Sequence, residues 1–119
     1  MSDSMWCDIT VDDADKLANF YEKVMGWEAS PVDMGGYNDY VMMKDDGTPA
    51  GGICHKQGVN SGIPSGWLPY FTVDNLDAAI ESAESLGGAR VGDIKHHGSD
   101  RFCILRDSAE NHCAIYQKG

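Results

Sequence analysis

Basic residues are scarce in this chain. Nine lysines and arginines stand against nineteen aspartates and glutamates, which gives a formal net charge of −10 at pH 7. Such a chain repels phosphate backbones, and it contains no basic patch or RNA-binding aromatic motif, so we expect no nucleic-acid partner. The simplest interpretation of the acidity is a well-solvated surface, and a cationic ligand is the alternative.

Long apolar runs are also missing. No stretch approaches the roughly 20 apolar residues of a membrane span. The chain does not open with basic residues followed by an apolar segment, so we expect no secretory signal. We therefore expect a cytoplasmic protein without a membrane partner. The 119 residues, 42% of them apolar, are enough for one domain with a substantial core.

Two further absences concern chemistry. The four cysteines are scattered without a C-x-x-C pair, so we interpret them as small buried apolar residues in preference to disulfide partners or zinc ligands. The glycine-rich nucleotide loops, H-E-x-x-H and G-x-S-x-G are all missing. Nucleotide-binding, zinc-protease and α/β-hydrolase functions therefore have no support from motifs.

One strand-to-helix junction occurs twice in the sequence. The segments "MWCDITVDD" and "WLPYFTVDN" align with Thr10 and Thr72 at equivalent steps, 62 positions apart. In each copy an apolar-rich strand precedes a residue that can cap a helix, Asp13 or Asn75, and then an apolar helix face. The repetition predicts two structurally similar units.

Each unit is predicted to have the order βαβββ, which makes the chain an α+β protein. The first unit spans about residues 5–57, a Gly-rich linker about 58–66, and the second unit about 67–118. The first helix ends at Gly26 and is predicted to bury the apolar residues Leu17, Phe20, Tyr21, Val24 and Met25. The predicted strands are 5–11, 27–31, 37–44, 50–56, 67–73, 89–91, 100–106 and 111–117.

Alternation along the strands predicts which side chains share a face. In the first strand Trp6, Asp8 and Thr10 lie opposite the more apolar face, and in the fifth strand Leu68, Tyr70 and Thr72 lie opposite Phe71 and Val73. We expect the more apolar faces to pack under the helices. The other faces would then line a cleft between the two units, built by duplication.

Three segments in this order resemble the vicinal oxygen chelate superfamily, which includes glyoxalases, bleomycin resistance proteins and extradiol dioxygenases. They are "TVDDADKLANFYEKVMGW", "FTVDNLDAAIESAESLGG" and "RDSAENHCAIYQ", although Ser108, Ala109 and Glu110 depart from the usual Pro, Asp and Gly. The resemblance implies a curved mixed sheet with a ligand cleft. It also implies a homodimer, which exposed edge strands favour.

The resemblance further implies four metal-ligand positions. They fall on Trp6, Cys54, Leu68 and Ala114, with an uncertainty of one residue at Cys54. An indole, an isobutyl group and a methyl group cannot coordinate a divalent ion. We therefore expect no metal and no other cofactor, while a metal held by non-standard ligands stays the alternative.

Few residues are candidates for catalysis. Asp8 beside an indole would lose hydration, which raises a carboxyl pKa and suits a general base. His112 at the start of the last strand is an acid–base candidate on the face of Ala114. His55 and Cys54 should point to opposite faces, and His96-His97 is predicted to lie in a solvated loop.

These observations favour metal-independent binding of a small organic molecule. The alternative is a metal-dependent lyase, isomerase or dioxygenase of the glyoxalase type, and a protein-binding domain has no positive feature. Asp8 and the hydroxyls of Thr10 and Thr72 would orient the ligand. The remaining predicted site residues are Trp6, Cys54, Leu68, Tyr70, Ala114 and Tyr116.

Overall fold

A computed structural model describes residues 5–119 of the chain. Eight strands and two helices follow one another there in the order predicted from the sequence. They are β1 (Met5–Val11), α1 (Ala14–Met25), β2 (Glu28–Asp33), β3 (Asn38–Met43), β4 (Pro49–His55), β5 (Trp67–Thr72), α2 (Leu76–Ser85), β6 (Ala89–His97), β7 (Asp100–Arg106) and β8 (His112–Gln117). Across residues 5–119, neither helix is long and apolar enough to span a membrane.

The chain divides into two compact units. The first unit is Cys7–Trp67, and the second unit is formed by Leu68–Gly119 and includes Trp6. In the first unit the strand order is β2-β3-β4-β1, and in the second it is β6-β7-β8-β5. In each unit one pair is parallel and the others are antiparallel, so the predicted mixed α+β architecture is confirmed.

The two parallel pairs have equivalent registers. Thr10 pairs with Cys54 in the first unit, and Thr72 pairs with Tyr116 in the second. In both pairs the partners are 44 residues apart, and the two pairs are displaced by the 62 positions seen in the sequence repeat. The duplication therefore extends from the opening strand of each unit to its last strand.

Helix α1 begins and ends where the sequence predicts. The Asp13 carboxylate accepts a 3.0 Å hydrogen bond from the Lys16 N–H, which satisfies one of the unpaired donors of the first turn. At the other end Gly26 adopts φ 73°, and its N–H bonds the Glu22 carbonyl. A left-handed residue at this position favours glycine, because it has no Cβ.

The buried face of α1 differs from the prediction. Ala14 and Ala18 are buried, whereas Phe20, Val24 and Met25 are each more than half exposed. The alanines pack on Met42 and Ile53 of the sheet, with Leu17 and Tyr21 at the margin. Small side chains one turn apart allow the helix to approach the sheet closely, and this turns the larger apolar residues toward solvent. The sequence prediction gave alanine too little weight.

Helix α2 packs on the second unit through Leu76 and Ile80, whereas Leu86, predicted from its spacing to lie on the same apolar face, is 75% exposed just after the helix ends. The Asn75 side chain accepts a 3.0 Å bond from the Ala78 N–H and so caps the helix. Leu76 and Ile80 then pack against strand residues of one sheet face. The buried cluster comprises Leu76, Ile80, Cys103, Leu105 and Ile115. This cluster is the apolar core of the second unit.

The prediction for the sixth strand was wrong. Strand β6 continues to His97, so His96 and His97 pair with Arg101 and Asp100 instead of lying in a loop. The register shifts between Val91 and Lys95, next to a glycine with φ 76°. A β-bulge lets the strand resume after such an interruption. In the sequence, "GDI" resembles the end of a strand.

Trp67 could not be assigned to a neighbour from the sequence. Its indole N–H donates a 3.0 Å hydrogen bond to the Tyr21 hydroxyl, and the two rings meet edge to face at 5.4 Å. Tyr21 also stacks on Trp27, with centroids 5.8 Å apart. Trp67 therefore belongs with α1 of the first unit.

Candidate functional site

The predicted face alternation is confirmed in the second unit, except that Phe71, expected to pack under the helix, is 40% exposed and lies outside the core. Cys103, Leu105 and Ile115 pack against α2. The register places Tyr70 beside Ala114 and Phe102 beside Tyr116, so these four residues belong to the opposite face. Of these four, the sequence analysis assigned Tyr70, Ala114 and Tyr116 to a ligand but not Phe102.

Three aromatic rings form a row on this face, which we call the aromatic cluster: Tyr70, Phe102 and Tyr116. The Phe102 ring stacks on Tyr116 with centroids 5.7 Å apart and an interplanar angle of 19°. Tyr70 and Phe102 have centroids 6.0 Å apart at a tilt of 50°. Such pairs contribute about 0.5–1.5 kcal/mol beyond area burial. The central Phe102 is only 5% exposed.

Phe102 was missed by the sequence analysis. The signal was present, because the two predicted strands around "RDSAEN" form a hairpin. In an antiparallel hairpin, directly opposite residues share a face. The sequence analysis did not predict the register of this hairpin. A correctly predicted register would have placed Phe102 opposite Tyr116.

A polar group lies at the Tyr116 end of the aromatic cluster. The Tyr116 hydroxyl donates a 2.6 Å hydrogen bond to Asp100 Oδ2, and the Gly119 N–H donates to Asp100 Oδ1 at 2.7 Å. The His97 Nδ1 atom lies 3.5 Å from the same hydroxyl. This places a carboxylate and an imidazole beside the last ring. Neither Asp100 nor His97 was a predicted site residue.

The electrostatics of this group fix its protonation near neutral pH. Burial, followed by the hydrogen bond and the negative charge of Asp100, raises the pKa of Tyr116 to about 12. The hydrogen bond from Tyr116, followed by that from the Gly119 N–H, lowers the pKa of Asp100. Tyr116 is therefore a neutral phenol and Asp100 an anion at pH 7.

The other predicted residues of the second unit differ in accessibility. Leu68 and Ala114 are buried, with 3% and 0% of their surface exposed. Trp6 is half-buried and Thr72 is exposed. His112 is exposed at the first position of β8 and pairs with Arg106.

In the first unit the structure brings together Asp8, Thr10 and Cys54. Thr10 pairs with Cys54 and Asp8 with Gly52, on the face opposite the residues that pack under α1. Burial, followed by the charges of Asp8 and Asp39, raises the pKa of the Cys54 thiol far above its ordinary value. Since the thiolate is the metal ligand and the nucleophile, a protonated Cys54 is poor in both roles.

His55 lies on the α1 side of the first unit, because it has the parity of Ile53, which packs under that helix. Its Nδ1 atom is 2.8 Å from the Asn38 carbonyl oxygen and 3.6 Å from the Asp39 carboxylate. The side chain is only 8% exposed. Cys54 and His55 therefore point to opposite faces, as predicted.

A family model described as a glyoxalase-like domain matches residues 4–116 of the chain. The chain belongs to this family. The glyoxalase-like chain also resembles solved structures of the same fold. A glyoxalase/bleomycin resistance protein/dioxygenase superfamily member from Vibrio splendidus has a TM-score of 0.60 at 11% identity, over 96% of this chain and 97% of that one.

A second structural neighbour is methylmalonyl-CoA epimerase from Streptomyces coelicolor. It has a TM-score of 0.54 at 16% identity, over 95% of this chain and 94% of the epimerase. At such identities the likeness concerns the fold alone. The family and both neighbours agree with the resemblance read from the sequence.

Curated relatives are longer than this glyoxalase-like chain. The Mycobacterium tuberculosis protein named "Putative glyoxylase CFP32" is 32% identical over 106 residues, which cover 87% of this chain and 39% of that protein. The anthracycline biosynthesis protein DnrV of Streptomyces peucetius is 26% identical over 127 residues, covering 96% of this chain and 46% of DnrV. The chain thus spans less than half the length of these relatives.

Proposed function

We propose that this glyoxalase-like protein binds a small organic molecule at the aromatic cluster of the second unit, without a metal at the family's ligand positions. The observation that carries the proposal is the row of Tyr70, Phe102 and Tyr116 with the Asp100 carboxylate at its end. Aromatic faces attract planar rings and cations. A carboxylate fixed at the edge of the row favours a cationic or neutral guest over an anion.

The residues at the inherited ligand positions support the metal-free part of the proposal. Trp6, Leu68 and Ala114 carry no group that coordinates a divalent ion. The remaining position is Cys54, and burial keeps its thiol protonated. Asp8 and Thr10 lie on the same face of the first unit as Cys54. That either residue orients a ligand stays a prediction, and Thr10 is only 2% exposed.

Adjacent residues of β5 provide a matched pair of variants for the test. Tyr70 belongs to the aromatic cluster, whereas Phe71 points to the opposite face and is 40% exposed. The purified chain would be screened by thermal shift and tryptophan fluorescence against cationic and aromatic metabolites. For any compound that binds, Tyr70→Leu should weaken binding at least about tenfold, since a single stacked ring contributes on the order of 1–3 kcal/mol.

The control Phe71→Leu should bind within a factor of two or three of the parent chain. Trp6→Ala serves as a second test, because Trp6 is both a predicted wall residue and a fluorescent reporter. Equal losses of affinity in Tyr70→Leu and Phe71→Leu would contradict the proposed site. So would binding that survives both Tyr70→Leu and Trp6→Ala.

An enzyme of the glyoxalase type is the alternative function. The name of the relative CFP32 favours it. This alternative requires a divalent metal held by non-standard ligands, for which Cys54 is one candidate. Elemental analysis that found one metal per chain, lost in Cys54→Ala, would favour the enzyme. The homodimer expected from the sequence also stays a prediction, which light scattering of the purified chain would measure.

A further inference from the structure

Three potential metal ligands converge on the α1 side of the first unit, away from the inherited positions. They are Asp13, Asp15 and His55, which we call the α1 cluster. One carboxylate oxygen from each aspartate and one ring nitrogen of the histidine all lie within 4.8 Å of one another. Both aspartates are exposed at the beginning of α1, and His55 is the buried last residue of β4.

The hydrogen bonding of His55 fixes its tautomer. Its Nδ1 atom lies 2.8 Å from the Asn38 carbonyl oxygen, and a carbonyl can only accept. Nδ1 therefore carries a proton, and the lone pair of the neutral ring is on Nε2. A histidine whose second ring nitrogen donates to a backbone carbonyl has the arrangement that orients metal-binding imidazoles. With 93% of the residue buried, the ring is held in this orientation.

The two carboxylates are also oriented by neighbours. Asp13 Oδ1 accepts from the Lys16 N–H at 3.0 Å, and Asp15 Oδ1 accepts from the Tyr40 hydroxyl at 2.6 Å. An ionised carboxylate has two oxygens and about four acceptor positions. These bonds therefore hold each carboxylate in place while leaving it able to coordinate an ion.

The spacing of the three potential ligand atoms in the α1 cluster is close to what a bound metal ion requires. Zinc binds nitrogen and oxygen at about 2.0–2.2 Å, so its ligand atoms are roughly 3–4 Å apart. Small rotations of the two exposed aspartates would bring the α1 cluster into that range. The amino-terminal dipole of α1 opposes a cation with the equivalent of about half a charge. The carboxylates of the N-cap residue Asp13 and of Asp15 in the first turn outweigh it.

We propose that the α1 cluster binds a divalent transition-metal ion, with Zn²⁺ preferred over Mg²⁺ and Ca²⁺. An imidazole ligand is the reason for this preference, because Mg²⁺ and Ca²⁺ take oxygen ligands. The three residues leave at least one coordination position for water or an exogenous ligand. This site is independent of the proposed ligand site in the second unit and of Cys54, which points to the other face.

Isosteric variants test the site without removing the helix cap. Asparagine caps a helix as well as aspartate does, so Asp13→Asn combined with Asp15→Asn removes two charges and keeps the hydrogen-bonding shape. The matched control is Asp12→Asn combined with Asp74→Asn, two exposed aspartates outside the cluster. Each chelator-treated protein would be titrated with Zn²⁺ by calorimetry, and with Mg²⁺ for comparison.

We expect one Zn²⁺ per parent chain and no comparable heat from Mg²⁺. The cluster variant should bind Zn²⁺ at least about tenfold more weakly, because even outer-sphere changes at metal sites cost 10–100-fold. The control variant should remain within about threefold of the parent chain. Zinc binding that persists in the cluster variant, or that is lost in His112→Ala instead, would overturn the proposal. Failure to detect any zinc would also overturn it, while leaving the ligand site of the second unit unaffected.

Discussion

The Tyr116 hydroxyl is hydrogen-bonded to the Asp100 carboxylate at 2.6 Å, across the β7–β8 pair of the second unit. The bond joins the aromatic cluster to a fixed negative charge. It also couples the ionisation of the two groups, because a tyrosinate would place a second negative charge beside the first. The protonated phenol is therefore the form that the folded state favours.

The coupling predicts a shift in the titration of Tyr116. In Asp100→Asn, the pKa of Tyr116 should fall from about 12 but stay above its ordinary value near 10, because burial is the largest cause of the shift. Tyrosinate absorbance would be followed against pH, with Tyr116→Phe subtracted to isolate this residue. Identical curves for the parent chain and Asp100→Asn would show that the carboxylate does not contribute.

The same shift has a consequence for stability. The folded state raises the pKa of Tyr116, so its contribution to stability is fully present below the ordinary tyrosine pKa near 10. It is lost as pH rises from there to about 12. Urea unfolding across this range should show a smaller decline in Tyr116→Phe than in the parent chain.

Two leucines at opposite ends of α2 should respond differently to truncation. Leu76 has no exposed surface and packs in the core of the second unit, whereas Leu86 is 75% exposed. We expect Leu76→Ala to lower the free energy of unfolding by about 2–5 kcal/mol through lost burial and the cavity left behind. Leu86→Ala should change it by less than about 0.5 kcal/mol. Urea denaturation, with an unchanged m-value, measures the free energy of unfolding of both variants. Similar losses of stability in the two variants would contradict the assignment of Leu76 to the core.

The cap of α1 makes a prediction that separates helix stability from metal binding. Asp13→Ala removes the acceptor for the Lys16 N–H and should cost about 1 kcal/mol in the free energy of unfolding. Asp13→Asn keeps the acceptor and should leave stability nearly unchanged in the absence of metal. Thermal unfolding of chelator-treated protein distinguishes the two. An equal loss in both variants would mean that the charge, and not the cap, stabilises the helix.

The features that could be predicted from the sequence depend on local chemistry. Asp13, Asn75 and Gly26 mark helix ends through caps and backbone conformation that neighbouring residues determine. The order of elements follows from hydrophobic periodicity, which the repeat reinforces. The faces of β1 and β5 follow from alternation alone. For these reasons the order of the strands and helices was predicted correctly.

The features that could not be predicted depend on how elements pack. Alanine is too weakly hydrophobic to reveal that Ala14 and Ala18 form the contact face of α1. The continuation of β6 to His97 requires a β-bulge, and the sequence at this bulge resembles the end of a strand. The neighbours of Trp67 and Phe102 depend on tertiary register. Asp13 and His55 are 42 positions apart in the sequence, and only the pairing of β1 with β4 brings the end of β4 to the beginning of α1.

The pairing of the opening strand of each unit with its last strand has a consequence for how the protein forms. Pairing residues that are 44 positions apart costs on the order of 3 kcal/mol of loop-closure free energy. This cost arises before the pair contributes any stability. During synthesis β1 cannot pair with β4 until β4 has left the ribosome, and β5 cannot pair with β8 until β8 has done so. We expect these closures to be late events in folding, since contacts distant in sequence slow the search. Until each is complete, a nascent unit exposes an unpaired strand to its surroundings.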